Sequence, residues 1–455
     1  MRRYRRIKQS DLTEYNFGPR IPTFSSTSTD RTMGKERYDI VIFGATGFTG
    51  QYVVEEVATT IAEENGLTWA IAGRSMAKLQ KVLEVASKQT GKDLEDLPII
   101  IADIKIQESL IDMCKQAKVL LNCVGPYRFY GDQMVRAAIE GGAHHLDISG
   151  EPQYLEKMQL LYDSKAKEAG VSIVGACGWD SIPADMGVAF TRDNFSGDLN
   201  SVESYVSIKA GPKGTGGNFG TWQSALYGIS DVATTIKQRK QLFQSPMPKS
   251  PHKLQRRSPV FYSELAKGYC VPFPGSDRSV VNRTQRYNYH IRKERPLQFT
   301  AFFRVGSIFA TVALLFVGAI FAIMSRFSFG RKLLESYPKL FSGGVFSHEG
   351  PTREQIAGTN FTMTFLGKGY STKISDIEEQ HSDKPDKEII TKITGPEPGY
   401  AATPICMVQA AYVLLAEGEK TPQGGGVFTP GSIFAKTSLI DRLQKHNIHF
   451  EIVKN

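Results

Sequence analysis

Residues 38–43 read Tyr-Asp-Ile-Val-Ile-Phe and run straight into Gly44-Ala45-Thr46-Gly47-Phe48-Thr49-Gly50. A short apolar strand that ends in a glycine turn and opens a helix is the first half of a βαβ unit, and such units build parallel sheets. Gly44 permits the tight turn and Gly47 lets the backbone approach a pyrophosphate. Gly50 allows close helix–strand packing, and the helix N-terminus stabilises the phosphate charge. Ala45, Thr46, Phe48 and Thr49 complete this predicted dinucleotide cradle. The spacing is GxxGxxG, a variant of the commoner GxGxxG.

Beyond the turn, short apolar strands alternate with helix-length segments. Strands are predicted at 38–43, 69–72, 99–102, 119–124, 145–147 and 172–175, and helices are predicted to start near Thr49, Met76, Gln107, Gly131 and Pro152. That rhythm specifies a doubly wound Rossmann domain over residues 38–200. After about residue 200 it gives way to β-rich stretches at 202–208, 360–365 and 388–393, with late helices at 400–416 and 438–445. The expected fold class is therefore α/β: an N-terminal Rossmann sheet, then a second α+β domain over 201–420 carrying an apolar membrane-associating segment. A C-terminal segment, 421–455, packs back on the core. A length of 455 residues with 41% hydrophobic content supports two such cores.

Residues 1–37 hold nine Lys/Arg against four Asp/Glu and supply about five of the nine net positive charges, so they read as a basic extension, disordered or a targeting segment. The loop 237–259 has seven Lys/Arg, four prolines and no acid, and is expected to be an extended, solvated linker. Five cysteines in no CxxC pair suggest neither a disulfide framework nor a zinc site. His144 and His145 are expected to pack at the start of the fifth strand, and no metal site is assigned. Basic patches without aromatic interleaving or a recognition helix argue against nucleic acid.

The second strand ends Ala72-Gly73-Arg74-Ser75, where an NAD-specific protein would place an acid on the ribose 2′-hydroxyl. Arg74 and Ser75 instead suit a 2′-phosphate, so the predicted cofactor is NADP(H). Asp103, after the third strand, is placed toward the adenine. Asn122, Val124 and Gly125, after the fourth, are placed toward the nicotinamide ribose.

The segments GATGFTG, AGRS, NCVGPY, HHLDISGE, GACGWDSIPAD and GVFTPGSIF, in that order, resemble the saccharopine dehydrogenase-like oxidoreductases of animals. The chain is similar also to the bacterial trans-acting enoyl reductases grouped with that family. The resemblance spans essentially Tyr38 to the C-terminus. It implies a Rossmann domain into which the chain returns after an inserted α/β domain, and an association with lipid droplets and membranes. It does not imply lysine metabolism, because no amino-dicarboxylate grip of arginines and acids stands out in the sequence.

Reduction needs a proton donor near the hydride acceptor, and three titratable groups follow strand C-termini: Tyr127, Asp147 and Asp180. Each is a catalytic candidate, with helix capping, loop pinning or pocket lining as its alternative role. The glycine-rich 214–222 segment is a candidate substrate-side loop.

Val305–Ser325 carries no charge and is long enough to enter a bilayer, with basic residues at both ends. A single pass would divide the second domain, so a monotopic insertion with both ends on the cytosolic face is expected. The sequence thus predicts an NADPH-dependent reductase of a hydrophobic or lipid-derived compound at a membrane or lipid-droplet surface. The alternative is a catalytically silent nucleotide-binding scaffold or sensor. A mitochondrial address and a homodimer stay open.

Overall fold

The computed structural model describes residues 36–230 and 232–454. The basic extension lies outside these residues except for its last two, and Arg37 already belongs to the compact unit Arg37–Asn455. Its guanidinium donates to the carbonyls of Lys115, Cys114 and Gly142, where the fourth strand begins and the fourth helix ends.

In chain order the first half comprises β1 (Tyr38–Phe43), α1 (Phe48–Thr60), β2 (Trp69–Gly73), α2 (Met76–Thr90), β3 (Ile99–Ile101), α3 (Gln107–Cys114), β4 (Ala117–Asn122), α4 (Tyr127–Gly141), β5 (His144–Asp147), α5 (Pro152–Glu168), β6 (Ser172–Val174) and α6 (Ile182–Asp193). The second half continues with β7 (Asp198–Lys209), β8 (Gly217–Asn218), α7 (Phe219–Ser230), α8 (Val232–Leu242), β9 (Phe261–Ser263), β10 (Gly268–Pro272), α9 (Asp277–Tyr287), β11 (Gln298–Val305), α10 (Ile308–Met324), α11 (Ser328–Ser336), α12 (Pro338–Phe341), β12 (Phe346–Ser347), α13 (Arg353–Gly358), β13 (Asn360–Tyr370), β14 (Lys387–Pro396), α14 (Thr403–Ala416), β15 (Gly426–Phe428), α15 (Pro430–Phe434), α16 (Leu439–Lys445) and β16 (His449–Lys454).

One sheet has the order β15-β6-β5-β4-β1-β2-β3, and every pairing in it is parallel. Its strands are apolar on both faces, as helices on both sides require: Ile40, Val41 and Ile42 are all fully buried. The strand order reverses between β1 and β4, which opens a crevice at their C-terminal ends. The second sheet, β16-β14-β13-β7-β11-β10-β9, is mixed, with β7 and β11 parallel and the rest antiparallel. Helix α6 joins the two cores. Gly187 has no room for a side chain because Phe365 of β13 fills the space, with 2.4 Å to an added Cβ.

Three expectations need correction. The late helix at 400–416, expected in the second domain, belongs to the first core. Helix α14 packs on α1 and on β4 and β5, β15 completes the parallel sheet beside β6, and β16 edges the second sheet. Twelve of the fourteen α14 residues are buried, so the apolar stretch Pro398–Ala416, long enough to cross a membrane, is a core helix. The 237–259 segment is not a free linker: it starts inside α8, and Arg239 and Arg257 are ion-paired with the buried carboxylates of Glu156 and Glu203. The helix expected from Gly131 begins at Tyr127, since Glu151 caps its first turn from a distant loop.

Candidate functional site

The glycine turn sits at the crevice. Gly44 has φ +84°, a conformation that favours glycine, and a Cβ there would lie 2.6 Å from Cγ2 of Val124 in the loop after β4. A Cβ at Gly50 would lie 2.2 Å from the Gly44 carbonyl oxygen. These two glycines therefore let α1 and the β4 loop close on the turn. Gly47 is the N-cap of α1 and supplies no side-chain acceptor, so the first-turn N–H groups keep their capacity for an anion. The Phe48 ring points away from the turn, onto Tyr400 at 4.7 Å and Tyr52 at 5.7 Å, with Gly350 pressed against it.

Arg74 is exposed at the end of β2, and Ser75 is the N-cap of α2 without a side-chain cap bond. No carboxylate follows the strand to receive a ribose hydroxyl. Asp103 accepts from the Lys105 N–H with Oδ1, a turn-pinning bond. Asn122 is fully buried and fixed at both ends of its amide. Its Oδ1 accepts from Val124 N at 3.1 Å, and its Nδ2 lies 3.3 Å from His145 Nε2. Because Nδ2 can only donate, Nε2 of the histidine is the acceptor. Burial holds His145 neutral, its pKa pulled down to about 4. His144 Nδ1 accepts from Ser172 N, so both histidines serve the strands.

The catalytic candidates divide. Tyr127 donates its phenol to the Asn122 carbonyl at 2.8 Å and is buried, and burial beside Asp147 holds its pKa well above the usual value. Asp147 accepts from Ser149 N, Ala176 N and the Tyr154 hydroxyl, tying the loops after β5 and β6. Burial raises its pKa to about 6 against the pull of those donors. Both are engaged as clamps. Asp180 lies where two helix N-termini meet. Ser276 N, at the N-cap of α9, donates to its Oδ1 at 3.0 Å, and the Ser276 hydroxyl pairs at 2.8 Å with that of Ser181, the N-cap of α6. Asp277, the first residue of α9, is buried, and its Oδ1 has no hydrogen-bond partner. Burial, and then the neighbouring Asp180 carboxylate, lift the Asp277 pKa well above the usual carboxylate value.

Sequence reasoning missed Glu151 and Arg128. Glu151, almost wholly buried, accepts from Tyr127 N at 3.0 Å and Arg128 N at 3.1 Å, and faces the Arg128 guanidinium at 3.4 Å. Ser224 of α7 donates to the same carboxylate, and Arg128 reaches the Tyr227 carbonyl. The only signal was that Glu151 closes the HHLDISGE segment after a strand. The 214–222 segment forms β8 and the start of α7, with Asn218 N bonded to the Tyr400 hydroxyl.

A parallel sheet with a glycine turn at its reversal point, an open helix N-terminus and a cation in place of the ribose-binding acid define a dinucleotide-binding protein of the NADP class, and these residues fit that cofactor. Residues 40–174 match the family described as the saccharopine dehydrogenase NADP binding domain. The chain is 49% identical over 423 residues to the human protein called saccharopine dehydrogenase-like oxidoreductase, covering 92% of this chain and 98% of that one. It is 40% identical over 421 residues to a Caenorhabditis elegans protein called lipid droplet localized protein, covering 91% and 98%. The chain belongs to the saccharopine dehydrogenase-like oxidoreductase family. Its fold is that of the saccharopine dehydrogenase (L-Glu forming) of Saccharomyces cerevisiae, with a TM-score of 0.52 at 14% identity over 91% of this chain and all of the other.

Proposed function

We propose that the protein is an NADPH-dependent reductase of a hydrophobic, lipid-derived compound, working on the cytosolic face of a lipid droplet or membrane. The observation that carries this reading is α7. One side of it meets the Arg128–Glu151 pair beside the β4 loop through Ser224 and Tyr227. The same helix meets α10 and α11 through Trp222, which packs on Phe321 and donates to the Leu334 carbonyl, and through the Tyr227 hydroxyl, which donates to Glu335. A cofactor crevice and an apolar exposed lobe thus share one helix. The name of the worm relative agrees with a droplet surface.

NADPH supplies a hydride when bound. In this reading Gly44–Thr49 and Arg74 hold its phosphates, with Ser75 beside Arg74 and Asp103 toward the adenine. Asn122, Val124 and Gly125 border the nicotinamide ribose. Asp180, with Asp277 as its neighbour, would supply the proton that the reduced product needs, in keeping with the burial that raises the pKa of both. Tyr127 and Asp147 shape the crevice through the bonds described above.

The second reading, a scaffold or sensor without turnover, draws support from the engagement of Tyr127 and Asp147 in structural bonds. Absorbance at 340 nm separates the two. Fractionated lipid extracts added to protein and NADPH should include one that drives NADPH oxidation. Saturable NADPH binding with no oxidation by any fraction would establish the scaffold instead.

A further inference from the structure

Helix α10 is apolar on every side, yet only Thr311 and Phe321 of its 17 residues are buried. Phe309 is 84% exposed, Phe316 66% and Val312 60%. A helix without a polar face belongs inside something, and the protein does not supply the inside. The exposed surface continues through Phe327, Phe329, Tyr337 and Leu340, far more than the scattered apolar residues of an ordinary surface. At about 1.5 Å per residue α10 is about 25 Å long, short of the ~30 Å hydrocarbon core of a bilayer. The chain also returns at once through α11 and α12 to β12, which pairs with β8 of the main body.

The exposed charged residues between 305 and 345 are all cations, with one exposed acid, Glu349, near Lys339 just beyond the lobe. Arg326, Lys332 and Lys339 are exposed along its base, while its one acid between 305 and 345, Glu335, is taken up by Gln223 and the Tyr227 hydroxyl. An apolar projection above a cationic base matches an anionic phospholipid surface, with acyl chains for the rings and headgroups for the cations.

We infer that α10, α11 and α12 form an embedding lobe seated in a single anionic phospholipid leaflet, with α7 as the wall between that leaflet and the cofactor crevice. The inference rests on the lipid-surface reading above but not on turnover. The lobe enters from the cytosolic side, and both of its ends return to the same side. A lipid-soluble compound in the leaflet then meets α7 before it meets water.

The test is flotation of the full chain with vesicles of phosphatidylcholine, with and without phosphatidylserine. The wild type should float with the anionic vesicles at least tenfold better than with phosphatidylcholine alone. Phe309→Glu/Phe316→Glu should lose flotation, and Arg326→Glu/Lys332→Glu/Lys339→Glu should lose the anionic preference. Both should keep NADPH binding, since these side chains are exposed. Phe316→Cys, labelled with an environment-sensitive fluorophore, reads the depth, because residue 316 is the middle of α10. Quenching by spin labels near the headgroups above that by labels near the chain ends supports one leaflet; the reverse order means a bilayer span and overturns it. A wild type that stays with the soluble fraction overturns it too, as does a vesicle-independent dimer that Phe316→Glu converts to monomer. NADPH oxidation scored in detergent on the same preparations shows whether the reductase reading stands when docking fails.

Discussion

The Ser224 hydroxyl donates a 2.9 Å hydrogen bond to Glu151, a carboxylate 73 residues earlier that also caps the first turn of α4. The same Glu151 neutralises Arg128, whose side chain is only 8% exposed. One buried carboxylate therefore holds the start of α4, the loop after β5 and the helix leading to the apolar lobe. Glu151→Gln leaves the Arg128 guanidinium without its anion, and breaking a buried pair on one side costs about 3 kcal/mol. Urea unfolding should show that loss, and NADPH affinity should fall with it as α4 frays beside the β4 loop.

Gly50→Ala is predicted to lower stability by at least about 2 kcal/mol, because the new methyl overlaps the Gly44 carbonyl oxygen and backbone must move. Cofactor binding should weaken more than in a Gly418→Ala control, where the backbone has no positive φ and a Cβ meets no neighbour within 4 Å. Thermal unfolding with and without NADPH measures both effects.

Tyr127→Phe removes a hydrogen bond to the Asn122 carbonyl and no proton donor, so stability should fall by about 1 kcal/mol while NADPH oxidation changes no more than a few-fold. A loss of several hundred-fold with the fold intact would restore Tyr127 as an acid.

Glu56 on α1 has a buried oxygen with no hydrogen-bond partner, and burial, with Glu63 nearby, raises its pKa to about 7 from 4.5. The folded chain thus binds a proton that the unfolded chain releases at lower pH. Stability from this group is present below about pH 4.5 and is lost as pH rises through 7. Glu56→Gln should raise the melting temperature at pH 8, and the wild-type decline between pH 4.5 and 7 should flatten.

Much of the parallel sheet was legible because a strand covered on both faces is apolar along its length, as Ile40–Phe43 and Val119–Leu121 are. The glycine turn was legible because its residues are consecutive. Strand β15, three residues long, carries no periodicity, and only the family resemblance implied that the chain returns to the first domain. Helix α14 could not be assigned to the first sheet, because an apolar run does not say which core covers it. The Glu151, Arg128 and Ser224 contacts were invisible for a related reason: they join residues up to 99 positions apart, by chemistry ordinary in any surface loop. The Asp180–Asp277 pair was half visible, as Asp180 follows a strand whereas Asp277 is placed by α9 from the second domain.

Calorimetric titration of the full chain in mild detergent, with NADPH and then NADH, tests the central claim most directly. The account predicts saturable NADPH binding at least about tenfold tighter than NADH. It also predicts that Arg74→Ala removes the difference by weakening NADPH alone, a loss of about 1.4 kcal/mol or more. Equal affinity for the two nucleotides, an unchanged ratio in Arg74→Ala, or no binding of either would contradict it.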